Sequence, residues 1–308
     1  MLQREFSRLA IVGRGEPAMR IIHAARELGV NRADPLRVIA LHTEADRDAL
    51  FVRSADESVC LNDGALEHAF RECRADAAWV GRELASEHTR LLELCERLGV
   101  VFVGPDPAIT RRLSEGIATD QSARVRRLAV PLIADGHGDV WPIGVCDGSC
   151  QRRGQTLLAE SSSSALTTEQ EREIMDAARR LASAARYRGA VTVELLYDPA
   201  TRRSRFTDMT ARPGVEYAVI EAVTGLDLAK LQLLVAAGGR LEREPPPPAG
   251  HAIEARLCAE DSALGFAPAP GRLARLRLPT GPGIRVDAGV AEGDHIPAEV
   301  DPMICKLI

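Results

Sequence analysis

Hydrophobic residues near the N-terminus follow a strand period and then a helix period. Residues 8–13 form a short apolar run, which predicts a buried strand. Residues 16–28 carry apolar side chains at the spacing of one helix face, namely Ala18, Ile21, Ile22 and Ala25. Apolar runs at residues 38–41 and 100–103 predict further strands. Alternating strands and helices are typical of a parallel α/β sheet, so we expect a Rossmann-like N-terminal domain.

The middle of the chain combines predicted helices with a predicted hairpin. One helix is expected over residues 107–127. Another is expected to have Thr168 as its N-cap and Glu171 as its capping-box partner, and to run to about residue 187. The second helix is expected to bury Ile174, Ala177, Ala178, Leu181 and Ala185. The four prolines at 245–248 mark a boundary, because proline cannot continue a helix. Short strand signals separated by proline and glycine then predict the start of a β-rich C-terminal domain.

Two acidic residues occupy matching positions in the predicted hairpin. Glu194 lies in its first strand and Asp208 in its second, at equal distances from Thr201 in the turn. Antiparallel pairing would therefore set the two carboxylates opposite each other. Mg²⁺ usually binds through one or two carboxylates plus substrate phosphates, so the pair predicts a metal site for phosphoryl chemistry. On the hairpin alone, two solvated acids on a polar hairpin are the more ordinary interpretation.

Composition is that of an ordinary globular protein. The 308 residues are 45% hydrophobic and 27% charged, which is enough for more than one buried core. A net charge of −5 gives no reason to expect nucleic acid or an anionic membrane as a partner, and no apolar run is long enough to span a membrane. The seven cysteines are an odd number without a disulfide pattern. With no signal peptide in the sequence, we expect a reducing, cytoplasmic location.

Ten short segments match one known family in the same order along the chain. They read IVGRGEPAMRIIHAARELG, LHTEADRDALFVRSADESVCL, VVFVGPDPAITRRL, ADGHGDVWPIGV, QRRGQTLLAE, YRGAVTVELLYD, VTGLDLAKLQLLVAAG, GHAIEARLCAED, GFAPAPGRL and VDPMICKLI. On these motifs the chain resembles the biotin carboxylase family, whose enzymes carboxylate biotin with ATP and bicarbonate. The resemblance implies an α/β (α+β) fold with a Rossmann-like N-terminal domain at 1–117, an ATP-grasp-type central domain at 118–244 and part of a β-rich C-terminal domain at 245–308.

The same resemblance implies a role for each of six residues. Glu194 and Asp208 match the carboxylates that hold Mg²⁺ and ATP in the family. The bicarbonate site is matched by Arg212, which binds the anion, by Val215, and by Glu216, which acts as general base. Arg256 matches the arginine that stabilises the enolate of biotin, which the family uses as a carrier-linked substrate.

The chain departs from the family mainly in the half that binds ATP. Of its 39 basic residues only Lys230 and Lys306 are lysine, and neither falls where the family places its ATP-binding lysines. Those two positions hold Gly116 and Thr156, and arginine does not simply replace a lysine that grips phosphate. The family also has a whole lid domain, with a glycine-rich loop over the phosphates, at a junction near residue 132. This chain has no room for the lid there.

Smaller departures affect the positions around the predicted site. Asp208 replaces a glutamate, Thr210 an asparagine, Gly214 a glutamine and Tyr217 a histidine, while a further family histidine is Gly154. Arg212, Glu216 and Arg256 are retained, and a buried ion-pair cluster inherited with the fold would also explain them.

These observations favour a degenerate member of the family, a pseudoenzyme with impaired or no catalysis alone. Two alternatives stay open. One is an active, ATP-dependent biotin carboxylase (a ligase) in an acyl-CoA carboxylase whose lid is supplied elsewhere. The other is a scaffold subunit that binds an anion or a biotin carrier. ATP and Mg²⁺ are accordingly expected to bind weakly or not at all. The expected partners are carboxylase subunits, a biotin carrier protein or further copies of the chain.

Overall fold

The chain divides into two compact units. In this computed structural model the described residues are 6–30, 35–61, 66–81, 88–104, 125–210, 214, 216–242, 244–297 and 302–308. The parallel-sheet unit comprises Phe6–Phe102 and Arg256–Ile308, and the antiparallel-sheet unit takes in Val103–Ala255. Among the described residues, no helix combines the length and the apolar character needed to cross a membrane.

The parallel-sheet unit is built around five strands in the order β3-β2-β1-β4-β5. The strands are β1 (Arg8–Val12), β2 (Arg37–His42), β3 (Glu57–Cys60), β4 (Ala77–Val80) and β5 (Val101–Val103). The helices are α1 (Gly15–Gly29), α2 (Leu50–Ser54), α3 (Leu66–Glu72) and α4 (His88–Leu98), with a 3-10 turn at Glu44–Asp46. β1 pairs in parallel with both β2 and β4, and β2 with β3. The predicted Rossmann-like sheet is therefore confirmed.

Helix α1 packs on this sheet through the apolar face that the sequence predicts. Its residues Ala18, Ile21, Ile22 and Ala25 are all at most 3% exposed. The strands beneath it are buried as well, since β1 from Leu9 to Val12 is at most 2% exposed. Burial of such side chains is the main stabilisation of a short helix, because propensity alone rarely holds one in water.

The C-terminal residues of the chain complete this unit with short strands. The strands are β12 (Ile253–Cys258, of which the last three residues belong here), β13 (Glu260–Asp261), β14 (Ala267–Pro268), β15 (Gly271–Arg272), β16 (Val286–Ala288), β17 (His295–Ile296) and β18 (Met303–Leu307), with a 3-10 turn at Ser262–Leu264. Three antiparallel pairs form, β13 with β14, β15 with β17, and β16 with β18.

The start of α1 meets this C-terminal part at close range. A Cβ atom on Gly289 would lie 2.6 Å from the carbonyl carbon of Gly15, so only glycine fits there without a backbone shift. Lys306 in β18 places its Nζ 3.0 Å from Oε2 of Glu16, and both side chains are at most 7% exposed. An ion pair this deeply buried fixes the position of β18 against α1.

The antiparallel-sheet unit contains strands in the order β11-β10-β6-β8-β9. The strands are β6 (Arg126–Asp135), β7 (Val140–Pro142), β8 (Cys146–Arg152), β9 (Gln155–Ser161), β10 (Arg188–Asp198) and β11 (Arg203–Thr210). β7 pairs with β6, and the first residues of β12 pair with β9. The helices are α5 (Thr168–Ala184), α6 (Tyr217–Thr224) and α7 (Leu228–Ala236).

Helix α5 covers one face of this sheet. Its buried residues Ile174, Ala178 and Ala182 pack in one cluster with residues of β6 and β10 such as Val130 and Val193. The predicted burial of Leu181 is wrong, because that side chain is 36% exposed. The inward face of α5 is set instead by the i, i+4, i+8 series, which passes beside residue 181.

Two predicted element boundaries are also wrong. The N-cap of α5 is Thr167, not Thr168, and its capping box is closed by Gln170 instead of Glu171. Adjacent threonines each followed three residues later by Gln or Glu offer two caps, and the structure uses the first. The helix predicted over 107–127 cannot reach its end, since Arg126 and Arg127 belong to β6. Residues 107–124 lie outside the described residues.

Candidate functional site

The predicted pairing of two carboxylates across the hairpin is confirmed. Glu194 of β10 lies directly opposite Asp208 of β11 in the antiparallel register. Thr210 donates its hydroxyl to Oε1 of Glu194 at 3.0 Å, and the backbone N–H of Met209 donates to Oδ1 of Asp208 at 2.7 Å. One oxygen of each carboxylate is thereby engaged. The neighbouring residues Val193 and Met209 are buried, so Glu194 and Asp208 lie on the sheet face opposite α5.

The same face carries two arginines that the sequence analysis did not identify. Leu196, two residues beyond Glu194 in β10, pairs with Arg127 of β6 on one side and Arg205 of β11 on the other. Residues paired directly across a sheet point to the same face, so both arginines share the face of Glu194. The alternation of side chains along β6 and β10 indicates which residues of one strand share a face. Only the register between the strands shows which residues are neighbours on that face.

The two carboxylates fit a metal held together with a phosphate ligand better than a metal alone. Among the described residues, no group of three or more His, Cys, Asp or Glu side chains is placed to hold a metal ion. Glu194 and Asp208 supply two oxygen ligands, which is what Mg²⁺ commonly takes from a protein when phosphates complete its coordination. A bare Mg²⁺ would therefore be held weakly here.

Glu216, the predicted general base, occupies the N-cap position of α6 with its carboxylate folded back over Gly214. A Cβ on Gly214 would lie 2.5 Å from the Cδ of Glu216, so the carboxylate fills the space that a side chain at 214 would enter. Gly214 in turn donates its N–H to Oγ1 of Thr192 at 3.3 Å. The predicted site residues Arg212 and Val215 lie outside the described residues.

Two groups around Glu216 are held in their neutral forms by burial. Cys146 donates its thiol to the carbonyl oxygen of Glu216 at 3.6 Å. Burial raises the pKa of this thiol well above its usual value, and the negative charges of Glu216, Glu254 and Asp147 raise it further. Burial likewise raises the pKa of Tyr217. Neither side chain can serve as an anionic nucleophile or base at neutral pH.

Arg256 lies on β12 and is half-buried. It belongs to the parallel-sheet unit, whereas Glu194, Asp208 and Glu216 belong to the antiparallel-sheet unit. The structure thus brings Glu194 and Asp208 together in one register, and the participation of Arg256 in a site with Glu216 stays a prediction.

Each lysine of the chain is paired with an acidic residue outside the carboxylate pair of the hairpin. Lys306 is buried against Glu16 in the parallel-sheet unit, and Lys230 of α7 pairs with Asp227 of the same turn at 3.7 Å. The position of one family lysine, Thr156, is the second residue of β9. The position of the other, Gly116, lies outside the described residues.

Three family models match successive parts of the chain. The N-terminal domain of biotin carboxylase matches residues 5–110, and its C-terminal domain matches residues 254–308. Between them, the ATP binding domain of the carbamoyl-phosphate synthase L chain matches residues 119–244. The domain boundaries predicted at 117 and 244 remain predictions, since the compact units divide the chain at different points.

One curated relative that matches nearly the whole chain is named as a biotin carboxylase. Biotin carboxylase 1 of Bacillus subtilis (strain 168) is 31% identical over 394 aligned positions, which cover 98% of this chain and 86% of the relative. Since 98% of 308 residues is about 300, about 90 of those positions have no residue in this chain.

Two solved structures superimpose on nearly the whole chain. The complete multifunctional pyruvate carboxylase from Rhizobium etli matches with a TM-score of 0.90 at 28% identity, covering 98% of this chain. This chain spans only 31% of that enzyme. The biotin carboxylase domain of a thermophilic 2-oxoglutarate carboxylase, solved with bicarbonate bound, matches with a TM-score of 0.87 at 25% identity. The match covers 98% of this chain and 86% of that domain.

Proposed function

We propose that this chain, which belongs to the biotin carboxylase family, carries out little or no ATP-dependent carboxylation of biotin when it acts alone. The observation that carries the proposal is the placement of its only two lysines. Lys306 is buried in an ion pair with Glu16, and Lys230 is paired within its own helix. No lysine is therefore available to grip a phosphate beside Glu194.

Phosphoryl transfer depends on such cations. The transferring group carries spread negative charge in its transition state, and metal ions, lysines and arginines stabilise that charge. Loss of one well-placed electrostatic contact costs about 10²- to 10³-fold in rate. When a metal–nucleotide complex binds, Mg²⁺ would be held by Glu194 and Asp208 and would supply part of this stabilisation. The two residues give that complex few protein contacts beyond the metal itself.

The base that activates bicarbonate is also placed unfavourably. The carboxylate of Glu216 packs over Gly214, where the family carries a glutamine side chain. We infer that this packing moves the carboxylate out of the position that a base needs. A general base must lie within hydrogen-bonding reach of the proton it removes, so such a displacement weakens catalysis.

The shortened alignment supports the proposed loss of the lid. About 90 positions of the Bacillus subtilis relative have no counterpart in this chain, which is the size expected of a small domain. A glycine-rich loop works by bringing bare backbone N–H groups against phosphate oxygens. Without the loop, those donors are missing from the nucleotide site.

We further propose a role as a subunit or scaffold in a carboxylase assembly. The Rhizobium etli enzyme contains the matching region as about a third of a multifunctional chain, which supports carboxylase subunits or a biotin carrier as partners. Retention of Glu216 and Arg256 is compatible with contacts to a carrier-linked biotin. The seven free cysteines support a reducing, cytoplasmic compartment.

The proposal predicts weak binding or none when Mg-ATP is titrated calorimetrically into the purified chain. The physical reason is that neither a lysine nor a glycine-rich loop contacts the phosphates, and Arg127 and Arg205 on the face of Glu194 do not simply replace a lysine that grips phosphate. A dissociation constant in the micromolar range would overturn the proposal.

An activity assay gives an independent control. We expect no bicarbonate-dependent ATP hydrolysis that free biotin stimulates. Hydrolysis of this kind that disappears in the Glu216→Gln variant would show that the site is catalytically competent and would likewise contradict the proposal.

A further inference from the structure

The exposed edge of the antiparallel sheet is formed by β11. Its only strand neighbour among the described residues is β10. A strand at the edge of a sheet presents a row of unpaired N–H and C=O groups, which can pair with an added strand. The register with β10 is regular from Arg203 to Phe206 and shifts between Leu195 and Glu194, so an added strand would find four regular residues to follow.

This edge carries positive charge without compensating partners. Arg202, Arg203 and Arg205 are all exposed, and within the described part of the chain none of them forms a salt bridge or a side-chain hydrogen bond. The nearest acid in the register, Asp198, accepts hydrogen bonds from the N–H of Ala200 and the hydroxyl of Thr201 instead. The charge of the strand is thus open to an anionic partner.

The two faces of the strand differ in chemistry. Arg203 and Arg205 alternate with Ser204 and Phe206, so the arginines point to one face and Phe206 to the other. Phe206 is 37% exposed although it is a large apolar residue. A complementary strand would therefore carry acidic side chains on one face and apolar side chains on the other.

We propose that β11 binds an extended acidic segment of a partner protein by strand addition, with acidic residues facing Arg203 and Arg205 and an apolar residue facing Phe206. A second copy of this chain is a poor occupant, because antiparallel pairing of two β11 strands sets arginines near arginines. Like charges opposite each other destabilise a sheet. Arg205 also lies on the sheet face of Glu194, but the proposal does not depend on whether that site is catalytically active.

A simpler function for the arginines is protection of the edge. Charged side chains on edge strands prevent sheets from joining at their edges. The two functions differ in outcome. If the arginines only protect the edge, the chain would bind no acidic strand, and removal of the arginines would cause self-association.

The test uses a fluorescent synthetic octapeptide of alternating glutamate and valine, titrated into the full chain at low salt and followed by anisotropy. The Arg203→Ser/Arg205→Ser variant is compared with Arg179→Ser/Arg180→Ser on α5, which removes the same charge from an exposed helix face. We expect the β11 variant to bind about tenfold more weakly and the α5 variant to bind as the unchanged chain does.

A second peptide separates strand addition from charge alone. It has the same length and the same glutamates, but proline replaces two of the valines, because proline removes the N–H groups that a strand needs. We expect it to bind clearly more weakly than the parent peptide. The parent peptide should also slow amide hydrogen exchange in residues 203–206.

Three results would overturn the proposal. The first is equal binding of the two peptides, which would reduce the effect to charge attraction. The second is equal binding of the parent peptide to both arginine variants. The third is absence of binding of the parent peptide to the unchanged chain. Self-association of the β11 variant would then assign the arginines to edge protection.

Discussion

At the scale of single residues, the chain uses its charged side chains in two different settings. The pair Glu16–Lys306 is withdrawn from water, whereas Lys230–Asp227 has side chains 32% and 25% exposed. A buried charge that loses its partner is destabilising, because the remaining ion cannot be hydrated. An exposed pair contributes little, since water and salt screen both charges.

Replacement of each lysine should therefore change the free energy of unfolding by a different amount. Lys306→Met should lower the free energy of unfolding by about 3–5 kcal/mol, because it leaves Glu16 buried without its counter-ion. Lys230→Met should change it by at most about 1 kcal/mol. Urea unfolding of both variants measures the difference. The double variant Glu16→Gln/Lys306→Met should recover much of the loss, and equal losses in the two single variants would contradict the assignment of Lys306.

Only part of the candidate site could be predicted from its residues. The opposition of Glu194 and Asp208 was predicted from their equal spacing about Thr201, but the turn alone does not produce it. Beside the turn Asp198 pairs with Arg203, and a register shift between Glu194 and Leu195 then brings Glu194 opposite Asp208. The folding of Glu216 over Gly214 was not predicted, because it depends on space inside the loop before α6 and not on any periodicity. The roles of Arg212 and Arg256 in a bicarbonate and biotin site remain predictions.

At the scale of elements, local patterns located helices well and their ends less well. The predicted bounds 16–28 lie one residue inside each end of α1, since its apolar face repeats at helical spacing. The predicted N-cap of α5 lies one residue too late, because Thr167 and Thr168 are both competent caps. Helix ends depend on one or two hydrogen bonds, so small energy differences decide between neighbouring positions.

Those two threonines form a matched pair for mutation. Thr167→Ala removes the hydroxyl that accepts from the N–H of Gln170, and should cost about 1 kcal/mol of stability. Thr168→Ala keeps the capping box and should change stability by less than about 0.5 kcal/mol. Thermal or urea unfolding of the two variants tests the cap. A larger loss in the Thr168 variant would reinstate the cap expected from the sequence.

At the scale of the whole molecule, the compact units could not be read along the chain. Residues 256–308 belong with residues 6–102, through contacts such as Glu16 with Lys306 that join opposite ends of the sequence. Periodicity reports local structure only, so it gives no sign of such long-range packing. The resemblance to a family supplied the order of the domains, whereas contact between Gly289 and the start of α1 required the structure.

A chain without the family lid is expected to leave apolar surface exposed, and this exposed surface predicts self-association. Leu158 of β9 pairs with Ala255 of β12, and Ile253 lies two residues before Ala255 on the same face. Leu158 is 43% exposed and Ile253 is 54% exposed, which makes a small apolar strip. Contiguous apolar patches on soluble proteins commonly mark sites of association.

We expect the purified chain to bind a dye that reports apolar surface, and to self-associate as its concentration rises in light scattering. Replacing Leu158 and Ile253 by serine should reduce both signals, because it removes most of the apolar area of the strip. A matched variant with serine at the exposed residues Val30 and Leu264, which lie outside the strip, should leave both signals nearly unchanged. A clean monomer at every concentration, without dye binding, would count against any assembly through this face and would leave β11 as the only docking surface that we propose.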